Sequence, residues 1–139
     1  MNNPLTNKEV AGQFNLLGKL LELHGENPFK TRSYSSAYVK IRKLPSPVVE
    51  LSKEELLQIQ GIGKAIAEKI IELRDTGEIN TLTRYMQDTP PGVVQMLQMK
   101  GFGPKKIRVI WEQMGIESPG ELLYACEENR LVAFSPQSP

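Results

Sequence analysis

One cysteine, one histidine and one tryptophan serve a chain of 139 residues, and these scarcities narrow what the protein can be. Cys126 has no partner for an internal disulfide, which fits a reducing compartment. No histidine is placed to activate it, so it is expected to be a small core residue. His24 stands at a helix end and is expected to pack or cap there rather than catalyse. No run of about 18 apolar residues occurs, so no membrane-spanning helix is expected. The opening "MNNPLTNKEV" lacks the basic and apolar regions of a secretion signal, and a cytoplasmic location follows. Strand-period alternation of useful length is also missing, so the expected class is all-α. What is present, 40% apolar and 24% charged residues, suits one ordinary domain or two small helical ones.

The net charge of +1 hides a segregation. Pro28 to Val49 holds Lys30, Arg32, Lys40, Arg42 and Lys43 with no acid, and Lys100 to Arg108 holds Lys100, Lys105, Lys106 and Arg108 with none. The acids gather elsewhere, as at Glu50, Glu54, Glu55, Glu72, Asp75 and Glu78. Basic runs alone are usually solvated helix faces, but a basic face with acids kept off it is also the footprint of a polyanion binder.

Helix signals divide the chain. "TNKE" at Thr6–Glu9 and "SKEE" at Ser52–Glu55 have the form of capping boxes, and "SPGE" at Ser118–Glu121 adds proline at the first helical position. Val10, Phe14, Leu17, Leu20 and Leu21 give the first helix its apolar stripe, and Gly25 stops it. "NP" at Asn27–Pro28 is expected to turn the chain into a helix from about Lys30 to Leu44. Further helices are expected up to Thr76 with Gly77 as the stop, near Leu82–Gln87, and from Pro104 to Met114 with Gly115 as the cap. The closing "AFSPQSP" is expected to be a disordered tail over 131–139.

An internal repeat carries the functional signal. "LLQIQGIGKAIAEKIIEL" (Leu56–Leu73) aligns with "MLQMKGFGPKKIRVIWEQ" (Met96–Gln113) at a constant offset of 40 residues. The unit is a short helix, a tight Gly-x-Gly hairpin and a longer helix. A dinucleotide fingerprint needs a preceding strand and a third glycine where Ile66 and Lys106 stand, and a P-loop needs Gly-Lys-Ser/Thr; neither fits. A plain helix cap without a ligand is the bland alternative. Against it stand the duplication and the basic residues after both hairpins. Gly61, Gly63, Gly101 and Gly103 let backbone N–H groups approach a phosphate, and the following helix adds its positive dipole end. Ile62 and Phe102 are expected to plug each hairpin into the core. Contacts of this kind follow a nucleic-acid backbone without reading bases.

These residues resemble the two helix-hairpin-helix motifs of family X DNA polymerases, the polymerase beta type, with "NPFKTRSYSSAYVKI" similar to that family's phosphate-binding helix and "RDTGEI" to the turn closing its amino-terminal domain. The bacterial branch is the nearest likeness, which extends from about Thr6 to Arg130. It implies a lyase-type helical domain over 1–80 and a second helix-hairpin-helix subdomain over 81–130. It also implies that the two hairpins grip the two sides of a gap in DNA and that the chain is nucleoid-associated in a bacterium. A monovalent cation, Na+ or K+, would be held in the presence of DNA by the backbone carbonyls of Ile59 and Ile62, and of Leu97, Met99 and Phe102. No other cofactor is implied.

The resemblance puts a lyase nucleophile at Lys69, which would form a Schiff base with the sugar left after base loss and then eliminate it. That chemistry needs a neutral amine, hence partial desolvation or neighbouring cations. Glu68 would bond Tyr34; Lys30 would hold a 5′-phosphate, with Lys40, Arg32 and Lys64 adding charge. Lys105, Lys106 and Arg108 would serve the second hairpin. Phe29, Leu57 and Ala65 stand where the family has a histidine and two lysines, so the implied phosphate pocket is thinner. A polymerase also needs a carboxylate cluster for two metal ions. The chain ends before such a palm, or a phosphoesterase domain, could begin, and the expectation is a monomeric amino-terminal part of a longer enzyme. Three functions stay open from the sequence: a binder of gapped or nicked DNA with a 5′-phosphate in repair, a 5′-deoxyribose-phosphate lyase, and a helical protein-docking module.

Overall fold

Local capping chemistry sets several of the helix ends among the described residues. The computed structural model describes residues 5–128, over which it has eight α-helices and no strand. Helix α1 (Asn7–Leu23) opens on a complete capping box: the Thr6 hydroxyl accepts from the Glu9 N–H, and the Glu9 carboxylate accepts from the Thr6 N–H at 3.0 Å. Helix α2 (Pro28–Arg42) starts earlier than its spacing suggests. Asn27 accepts from the Phe29 N–H at 2.8 Å and Pro28 takes the first helical position, so the Asn-Pro pair is a helix start as well as a turn.

A 3₁₀ turn (Val48–Glu50) leads to α3 (Lys53–Leu57), opened by the Ser52 capping box. Helix α4 (Lys64–Thr76) closes on Gly77 and is followed by α5 (Asn80–Gln87), α6 (Pro91–Leu97), α7 (Pro104–Met114) and α8 (Pro119–Glu127). The Ser118 box is half-built. Its hydroxyl accepts from the Glu121 N–H at 3.1 Å, but the Glu121 carboxylate takes that hydroxyl at 3.2 Å instead of the backbone. The tail expected over 131–139 lies outside the described residues.

Packing centres on α1. Val10, Ala11, Phe14, Leu17, Gly18, Leu20, Leu21 and Leu23 are all buried, which at 100° per residue covers roughly two thirds of the helix circumference. Such breadth suits a helix with several neighbours, and α1 packs on α2 and also on α5, α6 and α7. The result is one contiguous apolar cluster, shared by Leu56, Ile66, Ile70 and Leu73 of the first half and by Val93, Leu97, Ile107 and Ile110 of the second.

Polar bonds tie the same halves together. His24 is the C-terminal cap of α1; its Nε2 meets the Thr89 hydroxyl at 2.8 Å, and its ring packs edge-on to Trp111. Its expected packing and capping roles are thus both met. The Lys19 ammonium donates to the Leu97 carbonyl at 3.1 Å, and the Tyr85 hydroxyl donates to the Glu26 carboxylate. Cys126, expected in the core, is exposed instead. The buried positions of α8 are Leu122 and Ala125, and the next residue is turned about 100° away from that stripe.

Gly92 shows how closely α6 meets the start of α8. A Cβ there would lie 1.9 Å from the Glu117 carbonyl oxygen and 2.8 Å from the Ser118 Cα, both backbone atoms. Gly92→Ala is therefore expected to destabilise the fold by about 1–3 kcal/mol, read from urea unfolding; an unchanged midpoint would mean the α6–α8 junction yields freely.

The Tyr85–Glu26 bond has a pH signature. Hydrogen bonding to Glu26, with partial burial second, pushes Tyr85 from its ordinary 10.0 up to about 12. The folded chain thus holds this proton more tightly than the unfolded one, so the stabilisation is fully present below the unfolded value and is lost as pH rises through the folded one. The stability advantage of wild type over Tyr85→Phe should shrink between about pH 10 and 12; an advantage constant across that window would contradict the bond.

Candidate functional site

The two repeats fold alike. Gly61 and Gly101 have φ of +97° and +96°, a region that side-chain-bearing residues avoid, so each hairpin turns on a residue that has to be glycine. Gly63 and Gly103 differ from them: both are in extended backbone, at φ −89° and −81°, which any residue adopts. Their value lies elsewhere. Nothing stands within 4 Å of a Cβ at either position, so the space in front of α4 and α7 is open. Ile62 is buried and Phe102 half-buried, holding the hairpins to the core as expected.

Helix starts separate into two kinds. Helices α1, α2, α3 and α8 have side-chain caps from Thr6, Asn27, Ser52 and Ser118, whereas α5 and α6, opening on Ile79 and Pro90, have none, and α4 and α7 start on bare glycine. Their leading N–H groups have no side-chain partner at the cap, and the dipole adds partial positive charge. The first turns of α1, α3 and α8 contain the acids that such an end favours: Glu9, Glu54 with Glu55, and Glu121. Those of α2, α4 and α7 contain no acid and carry Lys30, Lys64, and Lys105 with Lys106 instead. Cations at a positive helix end cost stability. A bound anion reverses that sign.

Other expected residues fall around these starts in three groups. The Lys40 stem lies over the first hairpin, with its Cγ 3.7 Å from a Cβ placed on Gly61. Arg32, Lys105 and Arg108, together with Glu22 and Glu26, line a cleft of about 580 Å³ between α2 and α7; Arg32 also stacks on Phe29 at 4.9 Å, and Arg108 pairs with Glu112 at 3.2 Å. Lys30, Tyr34 and Lys69 line a cavity of about 300 Å³ together with Glu26, Arg84 and Tyr85. Lys69 is half-buried, with Nζ 5.8 Å from the centre of the Tyr34 ring.

Glu68 is a correction. It pairs with Lys53 at 3.4 Å, not with Tyr34. Adjacent positions of a helix point about 100° apart, and Lys69 is the one turned toward Tyr34. Arg84, Tyr85 and Glu26 reach the cavity without a sequence signal, because only the docking of α5 on α1 brings them there.

The carbonyls expected to hold a cation have different neighbours in the two repeats. The Ile59 carbonyl accepts from the Ile62 N–H at 3.1 Å and keeps a second lone pair, so Ile59 and Ile62 could still hold Na+ or K+. At the second hairpin the Lys19 ammonium already sits on the Leu97 carbonyl. A cation sharing the Leu97 oxygen would meet that like charge, whereas the Ile59 carbonyl has no ammonium on it among the described residues. Among the described residues no cluster of His, Cys, Asp and Glu could hold a metal ion, and no helix is long and apolar enough to cross a membrane.

Comparison with known proteins agrees with this geometry. Residues 5–79 match the helix-hairpin-helix domain family. A DNA polymerase/3'-5' exonuclease PolX of Bacillus subtilis (strain 168) is 27% identical over 124 residues, 89% of this chain. The chain spans about a fifth of that relative's length, 21%. With more than half its length matched and both hairpins folded as repeats of each other, the chain belongs to the helix-hairpin-helix domain family, in the form shared with family X DNA polymerases.

Proposed function

We propose that the chain is the DNA-binding portion of a bacterial family X DNA polymerase, recognising gapped or nicked DNA through its backbone and its 5′-phosphate during repair. The observation that carries this reading is the pair of bare-glycine helix starts, followed by Lys64 in one and by Lys105 with Lys106 in the other, cations that the helix dipole disfavours. Local rules are broken in this way where a ligand restores the balance. Lys40 beside the first hairpin, and Arg32, Lys105 and Arg108 along the cleft, extend the positive surface. Base-specific contacts are not required, so binding falls with salt and ignores sequence. Na+ or K+ would join at the Ile59 and Ile62 carbonyls when DNA is bound. The chain acts as a monomer in the cytoplasm at the nucleoid, and polymerisation belongs to a palm elsewhere in the polypeptide. A protein-docking bundle would gain nothing from lysines at uncapped helix starts.

Gly63→Ala and Gly103→Ala test this directly. Extended backbone and open space mean each costs no more than about 1 kcal/mol of stability, the difference between glycine and alanine at a helix cap. The added methyls stand where the phosphates must approach, so the double variant is expected to lose about tenfold or more in affinity for a gapped duplex. Retained affinity would show that the hairpins do not hold the backbone.

A second reading, the 5′-deoxyribose-phosphate lyase, is favoured by one feature: Lys69 lines an open cavity beside Lys30 and forms no ion pair among the described residues. Its amine would add to C1′ of the abasic sugar and lose water, and elimination from the imine would break the C3′–O bond. Borohydride should then trap wild type on an abasic gapped substrate and trap Lys69→Ala far less. Equal trapping of the two would remove Lys69 as nucleophile.

A further inference from the structure

The cavity around Lys69 is built from three helices, and its third cation lies outside the segment that matches the family. Lys30 comes from α2, Lys69 from α4 and Arg84 from α5. None of the three is in an ion pair among the described residues; the pairs there join Lys53 to Glu68, Arg74 to Asp75 and Arg108 to Glu112. Three unpaired cations facing one space of about 300 Å³ repel one another, a cost that an anion in that space would remove. One acid, Glu26, stands at the same cavity, yet it pairs with none of them. Its carboxylate is instead held by the Tyr85 hydroxyl, from the residue next to Arg84.

We infer that Arg84 is a specificity-determining residue for a terminal phosphate: it completes from α5 the anion subsite begun by Lys30 and Lys69, and Tyr85 keeps that subsite positive by holding Glu26 away from the cations. This rests on the 5′-phosphate reading above and assigns residues to it. Chemistry supports the division of labour. The guanidinium fork can take two oxygens of a terminal phosphate at once, which an ammonium cannot. A terminal monoester also carries more charge and one more free oxygen than an internal diester, so a three-cation site favours it over a strand ending in a hydroxyl. Because α5 lies beyond residue 79, the matched segment alone would lack the subsite's third side. Thr81, on the same helix, adds a hydroxyl to the lining.

The test is a titration of the full chain against two duplexes with the same one-nucleotide gap, ending in a 5′-phosphate or a 5′-hydroxyl. Wild type is expected to prefer the phosphate by about tenfold, as one or two charge-assisted hydrogen bonds allow. Arg84→Gln should cut that ratio at least threefold, while Lys53→Gln, which removes a lysine paired elsewhere, should leave the ratio unchanged. Tyr85→Phe should also lower the ratio, and adding Glu26→Gln to it should restore the preference, a rescue that a purely structural tyrosine would not show. A wild-type ratio near one overturns both this inference and the 5′-phosphate reading. A clear wild-type preference that survives Arg84→Gln overturns the role of Arg84 alone, and failure of the Glu26→Gln rescue overturns that of Tyr85.

Discussion

A helical hairpin of five and thirteen residues, or of seven and eleven, has one apolar face and too little chain to bury it unaided. Both hairpins solve this by joining the cluster that α1 organises. Full burial of Phe14, Leu17, Leu20 and Leu23 stabilises the fold by about 1.5–3 kcal/mol for each side chain, and that burial exists only while neighbours cover most of the helix. The two repeats are not equivalent in this. Leu97 is 0% exposed, with α6 packed on α1, whereas its counterpart Leu57 on α3 is 43% exposed. The short helix of the second hairpin is therefore the more deeply seated at this position, and the Lys19 ammonium on the Leu97 carbonyl fixes the same junction from the polar side.

This shared wall decides the electrostatics. Because α5, α6 and α7 all pack on α1, the basic run of α2 and the basic start of α7 meet across a cleft, and Arg84 comes to face Lys30 and Lys69. Two cationic regions far apart in sequence become neighbours in this way. Of the acids that neutralise the chain, Glu9 and Glu55 are spent on capping and Glu68 on its pair with Lys53, while Glu22 and Glu26 stand at the cleft and Glu26 also at the cavity. Net charge near zero and a strongly polarised surface are thus consistent.

Much of the architecture was legible in the sequence because it is local. Capping boxes, proline at first helical positions and glycine stops depend on three or four adjacent residues, and the 40-residue repeat announced two equal hairpins. α7 follows its expected bounds from Pro104 to Met114. The misses are tertiary. No spacing rule says that Arg84 and Tyr85 will reach Lys69, that Lys19 will settle on a hairpin carbonyl, or that Glu68 will turn to Lys53. The exposure of Cys126 escaped for a related reason: without a histidine to activate it the thiol is expected in the core, but the stripe of α8 runs through Leu122 and Ala125. Even the glycines divided on this line. Gly61 and Gly101 are explained by φ, while Gly63 and Gly103 make sense only through the empty space before them.

In the proposed complex, DNA phosphates meet the bare starts of α4 and α7. Amide chemical-shift mapping of the full chain with a gapped duplex measures that contact most directly. The amides of Gly63 to Ile66 and of Gly103 to Ile107 should shift together and saturate at one stoichiometry, apart from Pro104, which has no N–H. Shifts confined to the exposed apolar face of α8, around Leu123 and Tyr124, with both helix starts silent, would contradict it.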